Sequence, residues 1–305
     1  MKVMKFYCKL LCSGLVYFFL GTLTCLAQKG SKVIYRDYTR MEATLLDSLK
    51  REGLSRFTGM RGLRQQAQSV KEGTRLKVEP YRGAKRGMKP GEIIAGRRAS
   101  VLTVNKYQGA TTRPETVVGW AAAVVLTPDG VCVSNYHVFL EMLEPSARLN
   151  PADSVMFVAT EEGKVYPITE ILSFSKSGDM AIFKIDTRGD ILTPMPLGDD
   201  LPAGCNVHVL SHPEGYPYAY TNGVVFRTVT LNPKDIFARR MEITADYAKG
   251  ASGGPIMDDC GNMVAMVSSI RAIFYSNQPP YSQQMNVKLT IPVSSLRMLM
   301  QGKNE

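Results

Sequence analysis

The sequence is most informative at residues 249–255, which read Lys-Gly-Ala-Ser-Gly-Gly-Pro. This run places Ser252 in a turn whose glycines permit backbone conformations that larger residues disfavour. Two other segments also put a reactive side chain at the edge of an apolar strand. His137 follows an apolar strand that ends in a polar corner, and Asp179 stands at the start of another apolar strand. Singly, each of the three has an ordinary structural explanation, so the prediction depends on their occurrence together.

The order His137, Asp179, Ser252, with gaps of 42 and 73 residues, is compatible with convergence of the three side chains. A serine hydroxyl becomes a good nucleophile when a neutral imidazole accepts its proton, and a carboxylate can orient that imidazole. The backbone N–H groups of Gly250 and Ser252 would then face the oxyanion that forms on the substrate carbonyl. The pattern therefore predicts nucleophilic catalysis by a serine.

Twelve short strands are predicted, six on each side of a linker rich in Pro, Gly and Asp at 188–204. The composition agrees with a globular protein, since 45% of the residues are apolar and 21% are charged. We therefore predict an all-β fold with a first barrel at 93–187, a second barrel at 201–291 and a C-terminal helix at 292–301. The predicted strands are 100–105, 117–126, 130–134, 154–159, 165–174, 180–185, 206–210, 220–229, 239–244, 254–257, 263–268 and 284–291.

With these motifs, residues 93–305 resemble the chymotrypsin/trypsin-fold serine peptidases, and in particular the bacterial trypsin-like HtrA/Deg proteases. The matching segments are Ser-Asn-Tyr-His-Val at 134–138, Gly-Asp-Met-Ala at 178–181 and Gly-Ala-Ser-Gly-Gly-Pro at 250–255. The resemblance implies two six-stranded antiparallel β-barrels. It also implies a serine endopeptidase that forms an acyl-enzyme with a protein or peptide substrate and needs no cofactor or metal. A catalytically silent binding module or an envelope-surface adaptor on the same fold is the alternative function.

Two departures from the family pattern bear on regulation. HtrA-type proteins usually carry a C-terminal PDZ domain, and no such domain follows the predicted helix, so we expect no PDZ control. Ala251 stands where trypsin-like enzymes have Asp and Deg-type enzymes have Asn. Because a methyl group cannot pair with a newly freed N-terminus, activation by insertion of an N-terminus is not expected.

The resemblance also suggests residues that contact the substrate. Asp246 precedes Ser252 by six positions, where trypsin-like enzymes hold the acid that recognises Arg or Lys. We expect a small or apolar preference at this pocket instead, with Asp246 as a cap of the turn, and basic specificity as the alternative. Ser268 and Ser269 lie on the strand 267–270, which we expect to pair with the substrate backbone.

Three cysteines lie outside the N-terminal 27 residues: Cys132, Cys205 and Cys260. The resemblance implies a disulfide between Cys205 and Cys260, shifted along both strands from its usual place, and leaves Cys132 as a buried free thiol. The alternative is that all three are reduced. His208 and His212 are four apart on a predicted strand, a spacing that does not make a compact metal pair, so no metal site is expected.

The net charge of +10 is confined to the first third of the chain. Residues 28–91 hold 16 Lys and Arg against 6 Asp and Glu, whereas residues 92–305 hold 18 against 21. Because the longer part is near neutral, the overall charge does not indicate nucleic-acid binding.

Residues 28–92 are predicted to form a separate basic segment with one amphipathic helix at about 39–52. Thr39 and Glu42 make a capping-box pattern before this helix, and Gly53 is a stop signal after it. Since the segment has too few apolar residues for a core of its own, we interpret it as a pro-segment or arm. It would occlude the active site or contact an anionic envelope surface through 28–91, and a solvated linker is the alternative.

Residues 1–27 have the pattern of a secretory signal peptide. Lys2, Lys5 and Lys9 precede an uncharged apolar run at 10–26, and small residues then predict cleavage before Gln28. We therefore expect an exported protein, in the bacterial periplasm or secreted, with an uncleaved membrane anchor as the alternative.

Overall fold

The computed structural model describes residues 33–109, 111, 114–276 and 278–301. The predicted signal peptide at 1–27 lies outside these residues. Contacts divide the chain into a unit that ends at Asp37 and a second compact unit that begins at Tyr38, to which every element below belongs. Within the described residues, none of the helices has both the length and the apolar character needed to span a membrane.

Six antiparallel strands close into the first barrel in the order β1-β2-β3-β6-β5-β4. On β1, Leu102 and Val104 join the barrel core, and Thr103 and Asn105 lie on the opposite face because successive side chains of a strand alternate. The strands are β1 (Val101–Gln108), β2 (Thr116–Val125), β3 (Val131–Ser134), β4 (Asp153–Ala159), β5 (Val165–Ser175) and β6 (Met180–Ile185).

The second barrel is closed in the order β10-β11-β12-β9-β8-β7, which confirms the predicted fold of two six-stranded antiparallel barrels. Its own core includes Val207, Val209, Ile243 and Ile256. β11 runs six residues past its predicted end at Ser268, because it stays paired with β12 as far as Phe274. The strands are β7 (Asn206–Ser211), β8 (Ala219–Thr230), β9 (Arg239–Ile243), β10 (Pro255–Met257), β11 (Met263–Phe274) and β12 (Gln283–Pro292).

The N-terminal segment holds more helix than the one predicted. Besides α1 (Met41–Glu52), it contains α2 (Met60–Ala67) and α3 (Pro90–Arg97). The remaining helices are α4 (Leu140–Leu143), α5 (Val293–Met300) and the 3₁₀ turns Leu54–Arg56, Arg98–Ser100, Tyr136–Phe139, Pro213–Gly215 and Ile236–Ala238.

From Tyr38 onward, the N-terminal segment belongs to the same compact unit as the barrels and packs its apolar side chains on them. Leu45 and Leu49 of α1 pack with Phe157 of β4, and Met60 and Leu63 of α2 pack into the core of the first barrel. The segment thus needs no core of its own, because the barrel supplies the apolar surface that covers these side chains. Contact between residues 28–91 and an anionic envelope surface stays a prediction.

The boundary between the barrels is a shared apolar layer. Val133 of β3 and Leu210 of β7 belong to one buried cluster, together with Val293, Leu296 and Leu299 of α5. This layer holds the two barrels together, so residues placed at their facing ends are held at defined distances.

Candidate active site

His137 lies at the end of β3, where the strand stops at Ser134 and the chain enters a 3₁₀ turn. Phe139 is fully buried and fixes this turn on the core of the first barrel. The indole N–H of Trp120 donates to the carbonyl of Val138 at 3.3 Å. The His137 side chain itself is 45% exposed, so its ring is fixed at its base and accessible at its edge.

Asp179 lies in the tight turn between β5 and β6, with a φ of 52° that a short polar side chain tolerates. Its N–H donates to the carbonyl of Lys176 at 3.1 Å, and the N–H of Gly178 donates to the hydroxyl of Ser175 at 3.1 Å. Asp179 Oδ1 accepts hydrogen bonds from the Nδ1 and the backbone N–H of His137 at 2.9 and 3.1 Å. The carboxylate therefore holds both the imidazole and the backbone of His137.

Ser252 lies in the turn that enters β10. Gly253 has a φ of 82°, and a Cβ there would lie 2.2 Å from the carbonyl oxygen of Ala122, so only glycine fits. The N–H of Ala122 donates to the carbonyl of Ser252 at 2.7 Å, which joins this turn to the first barrel. Ser252 Oγ lies 2.8 Å from Nε2 of His137.

The structure thus brings together the three side chains that the sequence singled out, across the boundary between the barrels. With Nδ1–H donated to Asp179, a neutral imidazole presents the lone pair of Nε2 to the Ser252 hydroxyl. This arrangement can take the hydroxyl proton while Oγ attacks a carbonyl, and can later return that proton to a leaving group.

Gly250, predicted with Ser252 to bind an oxyanion, has a φ of 89°, and a Cβ there would lie 2.7 Å from the carbonyl oxygen of His212. The N–H of Glu214 donates to the carbonyl of Lys249 at 2.7 Å and holds the same turn. Within the described part of the chain, the N–H groups of Gly250 and Ser252 have no backbone acceptor. Both donors are therefore available to a substrate oxygen.

Ser268 and Ser269, predicted to face substrate, have different surroundings. The Ser268 hydroxyl donates to Asp179 Oδ2 at 2.6 Å, so its side chain contacts the carboxylate instead of a substrate pocket. Ser269 is exposed, and its carbonyl accepts a hydrogen bond from the Tyr247 hydroxyl at 2.9 Å. The sequence held no signal for the Ser268 contact, because it joins residues 89 positions apart.

Asp246 does not present a free carboxylate to a basic substrate side chain. Its Oδ1 lies 2.7 Å from the ammonium of Lys288, and its side chain is 82% exposed. Lys288 is buried and also donates to the carbonyl of Tyr247 at 2.5 Å. A substrate Arg or Lys would share this exposed carboxylate with Lys288, and basic specificity remains the alternative considered from the sequence.

The disulfide between Cys205 and Cys260 is not present, and both residues are free thiols. β10 pairs with β7 so that Met257 faces His208, a register that would place the two cysteines opposite each other if both strands continued. β10 ends at Met257, however, and the chain turns at 258–261, so Cys260 leaves the plane of the sheet before it can face Cys205.

Cys132 is a buried free thiol, as predicted. It lies on β3 with its side chain in the core of the first barrel. Burial raises the pKa of this thiol well above its ordinary value, so it is unsuited to serve as a nucleophile.

Arg240, on β9 of the second barrel, is a residue of the site that sequence reasoning missed. Its Nη2 donates at 2.8 Å to the carbonyl of Ser177, in the turn that carries Asp179. Burial lowers the pKa of this guanidinium, and the charge of Asp179 opposes that shift. The contact joins residues 63 positions apart, so no local pattern indicates it.

Within the residues that the structure describes, no group of three or more His, Cys, Asp and Glu is arranged to hold a metal ion.

Comparison with known proteins finds similarity to trypsin-like proteases. Residues 121–266 match the family model of the trypsin-like peptidase domain. Protease Do-like 5, chloroplastic, of Arabidopsis thaliana is 28% identical over 156 residues, which are 49% of this chain and 48% of that protein. "Probable periplasmic serine endoprotease DegP-like" of Halomonas elongata is 24% identical over 164 residues, which are 53% of this chain and 32% of that protein. The chain thus spans about half the length, or less, of these curated relatives.

A solved structure gives the same fold. The HtrA-type protease AlgW with a decapeptide superposes with a TM-score of 0.53 at 16% identity, over 70% of this chain and 66% of that chain. This likeness agrees with the trypsin fold of the two barrels, and residues 121–266 are in addition similar to the trypsin-like peptidase domain.

Proposed function

We propose that this trypsin-fold, HtrA-like protein is a serine endopeptidase that hydrolyses peptide bonds through His137, Asp179 and Ser252. The observation that carries the proposal is the continuous chain of hydrogen bonds from carboxylate to imidazole to hydroxyl, at 2.9 and 2.8 Å. Because Ser252 belongs to one barrel and the other two residues to the other, only the folded domain assembles this chain.

In the proposed mechanism, Ser252 Oγ attacks the scissile carbonyl carbon while Nε2 of His137 takes the hydroxyl proton. The carbonyl oxygen becomes an oxyanion, which accepts hydrogen bonds from the N–H groups of Gly250 and Ser252, each worth about 3 kcal/mol of barrier. His137 then gives the proton to the leaving nitrogen as the C–N bond breaks, which leaves an acyl-enzyme ester. Water attacks this ester by the same proton transfers and regenerates Ser252.

The part of the substrate before the scissile bond is assigned to β11. β10 pairs with β11 only at Met263–Met266, and β12 covers the other edge of β11 as far as Phe274. Among the described residues, the edge of 269–274 opposite β12 therefore has no strand partner. An extended peptide can add to such an edge by main-chain hydrogen bonds. A small or apolar residue before the scissile bond is favoured, since Lys288 already neutralises Asp246.

We further propose that the protein acts outside the cytoplasm. Residues 1–27 have the basic and apolar pattern of an export signal. The similar protein of Halomonas elongata is named as periplasmic and that of Arabidopsis thaliana as chloroplastic, both locations outside the cytosol. Detection of the mature protein starting at Gln28 in an extracytoplasmic fraction would support this location.

Peptide-library cleavage by the full mature chain, together with labelling by a fluorophosphonate, tests the activity. We expect Ser252→Ala and His137→Ala to lower kcat/KM by at least about 1,000-fold while keeping the thermal unfolding midpoint, because the triad acts as a unit. Ser146→Ala, the same change at an exposed serine outside β11 and outside the cavity lining, serves as the control and should retain activity. A wild-type protein that neither labels nor cleaves would instead indicate a catalytically silent binding module.

A further inference from the structure

A cavity of about 790 Å³ opens beside the proposed nucleophile and extends to helix α1. Its lining includes Ser252 and His137, and also Met41, Glu42 and Leu45 of α1. Its volume lies within the range of ordinary ligand sites. None of its lining residues comes from β11, the strand assigned above to the part of the substrate before the scissile bond.

We propose that α1 and β2 form the binding site for the part of the substrate that follows the scissile bond. The N-terminal segment is then a specificity element of the enzyme and remains part of the active protein. This inference rests on the endopeptidase function proposed above. It assigns a binding site to the substrate residues after the scissile bond, which that proposal does not place.

The position of His137 determines which half of the substrate enters the cavity. Nε2 of His137 gives its proton to the leaving nitrogen, so the segment after the scissile bond begins next to this ring. Val138 and Trp120 continue the cavity lining from His137 toward α1. The segment before the scissile bond runs along β11 instead, and the two halves therefore leave Ser252 in different directions.

The start of α1 is held to both barrels, so this wall exists before substrate binds. The Tyr38 hydroxyl donates to the carboxylate of Glu161, and Arg98 donates to that hydroxyl at 2.5 Å and to Glu161 Oε2 at 2.8 Å. The Tyr38 ring stacks on Tyr218 of the second barrel, with centroids 6.4 Å apart. Along the helix, Leu45 is buried at 1% exposure. A preformed wall lowers the entropy cost of binding a peptide.

Much of the cavity lining is apolar, which suits a hydrophobic side chain of the leaving segment. Met41 of α1, Val118 of β2 and Pro217 all line it. Trp120 also lines it, and the Lys106 ammonium fixes this indole by lying 3.9 Å from the ring centroid. Burial of one such side chain contributes about 1.5–3 kcal/mol to binding.

The charged groups of the cavity bear on the substrate residue next to the hydrophobic one. They favour a basic residue over an acidic residue at that position. Glu42, Glu214 and Lys249 line it and are exposed. Within the described chain, none of the three forms an ion pair with another residue, so two carboxylates face one ammonium. Counted over the lining residues alone, the cavity therefore carries one net negative charge.

Acyl transfer measures this site separately from the proposed triad. An acyl-enzyme made from a small peptide ester divides between water and an added dipeptide amide, whose amine attacks from the position of the leaving group. We expect Leu-Arg-amide to capture more acyl-enzyme than Leu-Glu-amide. The fluorophosphonate reaction and ester hydrolysis need no leaving peptide and report the triad alone.

Filling the cavity is the first test. Gly119 lines it, and a Cβ at this position meets no atom within 4 Å, so a side chain can start there without a clash at its first atom. We expect Gly119→Phe to lower the ratio of dipeptide capture to ester hydrolysis about tenfold. Gly87→Phe is the matched control, because Gly87 also has open space around its Cβ and lies outside the cavity lining.

Charge reversal on α1 is the second test. We expect Glu42→Lys to lower the preference for Leu-Arg-amide over Leu-Glu-amide about five- to tenfold. Asp47→Lys makes the same change at an exposed α1 residue outside the cavity and should alter the preference less than twofold. If ester hydrolysis proceeds and neither Gly119→Phe nor Glu42→Lys changes capture relative to its control, the role of α1 is overturned. Failure of wild-type labelling would overturn the endopeptidase function itself.

Discussion

At the level of single residues, Asp179 is the most heavily supported group of the site. His137 donates to it twice from the first barrel, and Ser268 donates to it at 2.6 Å from the second. Arg240 holds the turn before it through the carbonyl of Ser177. A carboxylate held by several donors keeps one orientation, and it therefore keeps the imidazole in one orientation as well.

Removing the Ser268 hydroxyl should weaken catalysis without removing a catalytic group. A hydrogen bond to a charged group contributes about 1.5–3 kcal/mol, so we expect Ser268→Ala to lower kcat/KM by about 10- to 150-fold. The measurement is steady-state cleavage of one peptide substrate. Ser146→Ala is the control, because Ser146 is an exposed serine outside β11 and outside the cavity lining. Equal activity of the two variants would contradict a positioning role for Ser268.

At the level of secondary-structure elements, the N-terminal helices pack their leucines against the first barrel. Leu49 of α1 and Leu63 of α2 are both fully buried, although the segment that carries them is strongly basic. The charged residues of these helices occupy the solvent-facing side, and the leucines occupy the side that packs on the barrel. Removal of the segment would expose apolar barrel surface and would take away the part of the cavity wall that α1 provides.

Truncating the buried leucines should destabilise the whole domain. A fully buried Leu→Ala change costs about 2–5 kcal/mol, so we expect this loss in the free energy of unfolding for both Leu49→Ala and Leu63→Ala. Urea unfolding followed by circular dichroism provides the measurement. Asp47→Ala, at an exposed position of α1, should change the free energy by less than about 0.5 kcal/mol. Unchanged midpoints in both leucine variants would mean that the segment is peripheral to the fold.

At the level of the whole molecule, a buried histidine joins the two barrels. The Tyr218 N–H donates to Nδ1 of His212 at 2.9 Å, so the ring carries its proton on Nε2, which lies 3.3 Å from the carbonyl of Leu102 on β1. Burial lowers the pKa of His212 to about 4. The ring is therefore neutral in the folded protein at pH values where an unfolded chain would already protonate it.

This difference makes stability depend on pH with a definite sign. Because the folded pKa of His212 lies below the ordinary value of 6.5, acid favours the unfolded state, which binds the proton more readily. We expect the free energy of unfolding to fall between pH 6.5 and about pH 4, by up to about 3 kcal/mol from this residue. Urea midpoints at pH 7 and pH 4.5 measure the effect. His212→Gln should reduce the pH dependence in this window, and an unchanged slope would contradict the assignment.

The sequence by itself determined the twelve strands and the residues His137, Asp179 and Ser252 as a group. Alternating apolar residues specify strands locally, because side chains of a strand point to opposite faces. The glycines around Ser252 likewise indicate a tight turn through properties of the backbone at those positions alone. Both kinds of information are contained in a few consecutive residues.

Only the tertiary structure decided what each of the other residues touches. Ser268 meets Asp179 and Asp246 meets Lys288 through contacts between segments far apart in the chain. Cys260 fails to face Cys205 because β10 ends three residues earlier. The helix α1 becomes a wall of the substrate cavity because the outer face of the first barrel covers its leucines. Such contacts depend on where the ends of strands and turns meet in space, and no local pattern of residue types contains that information.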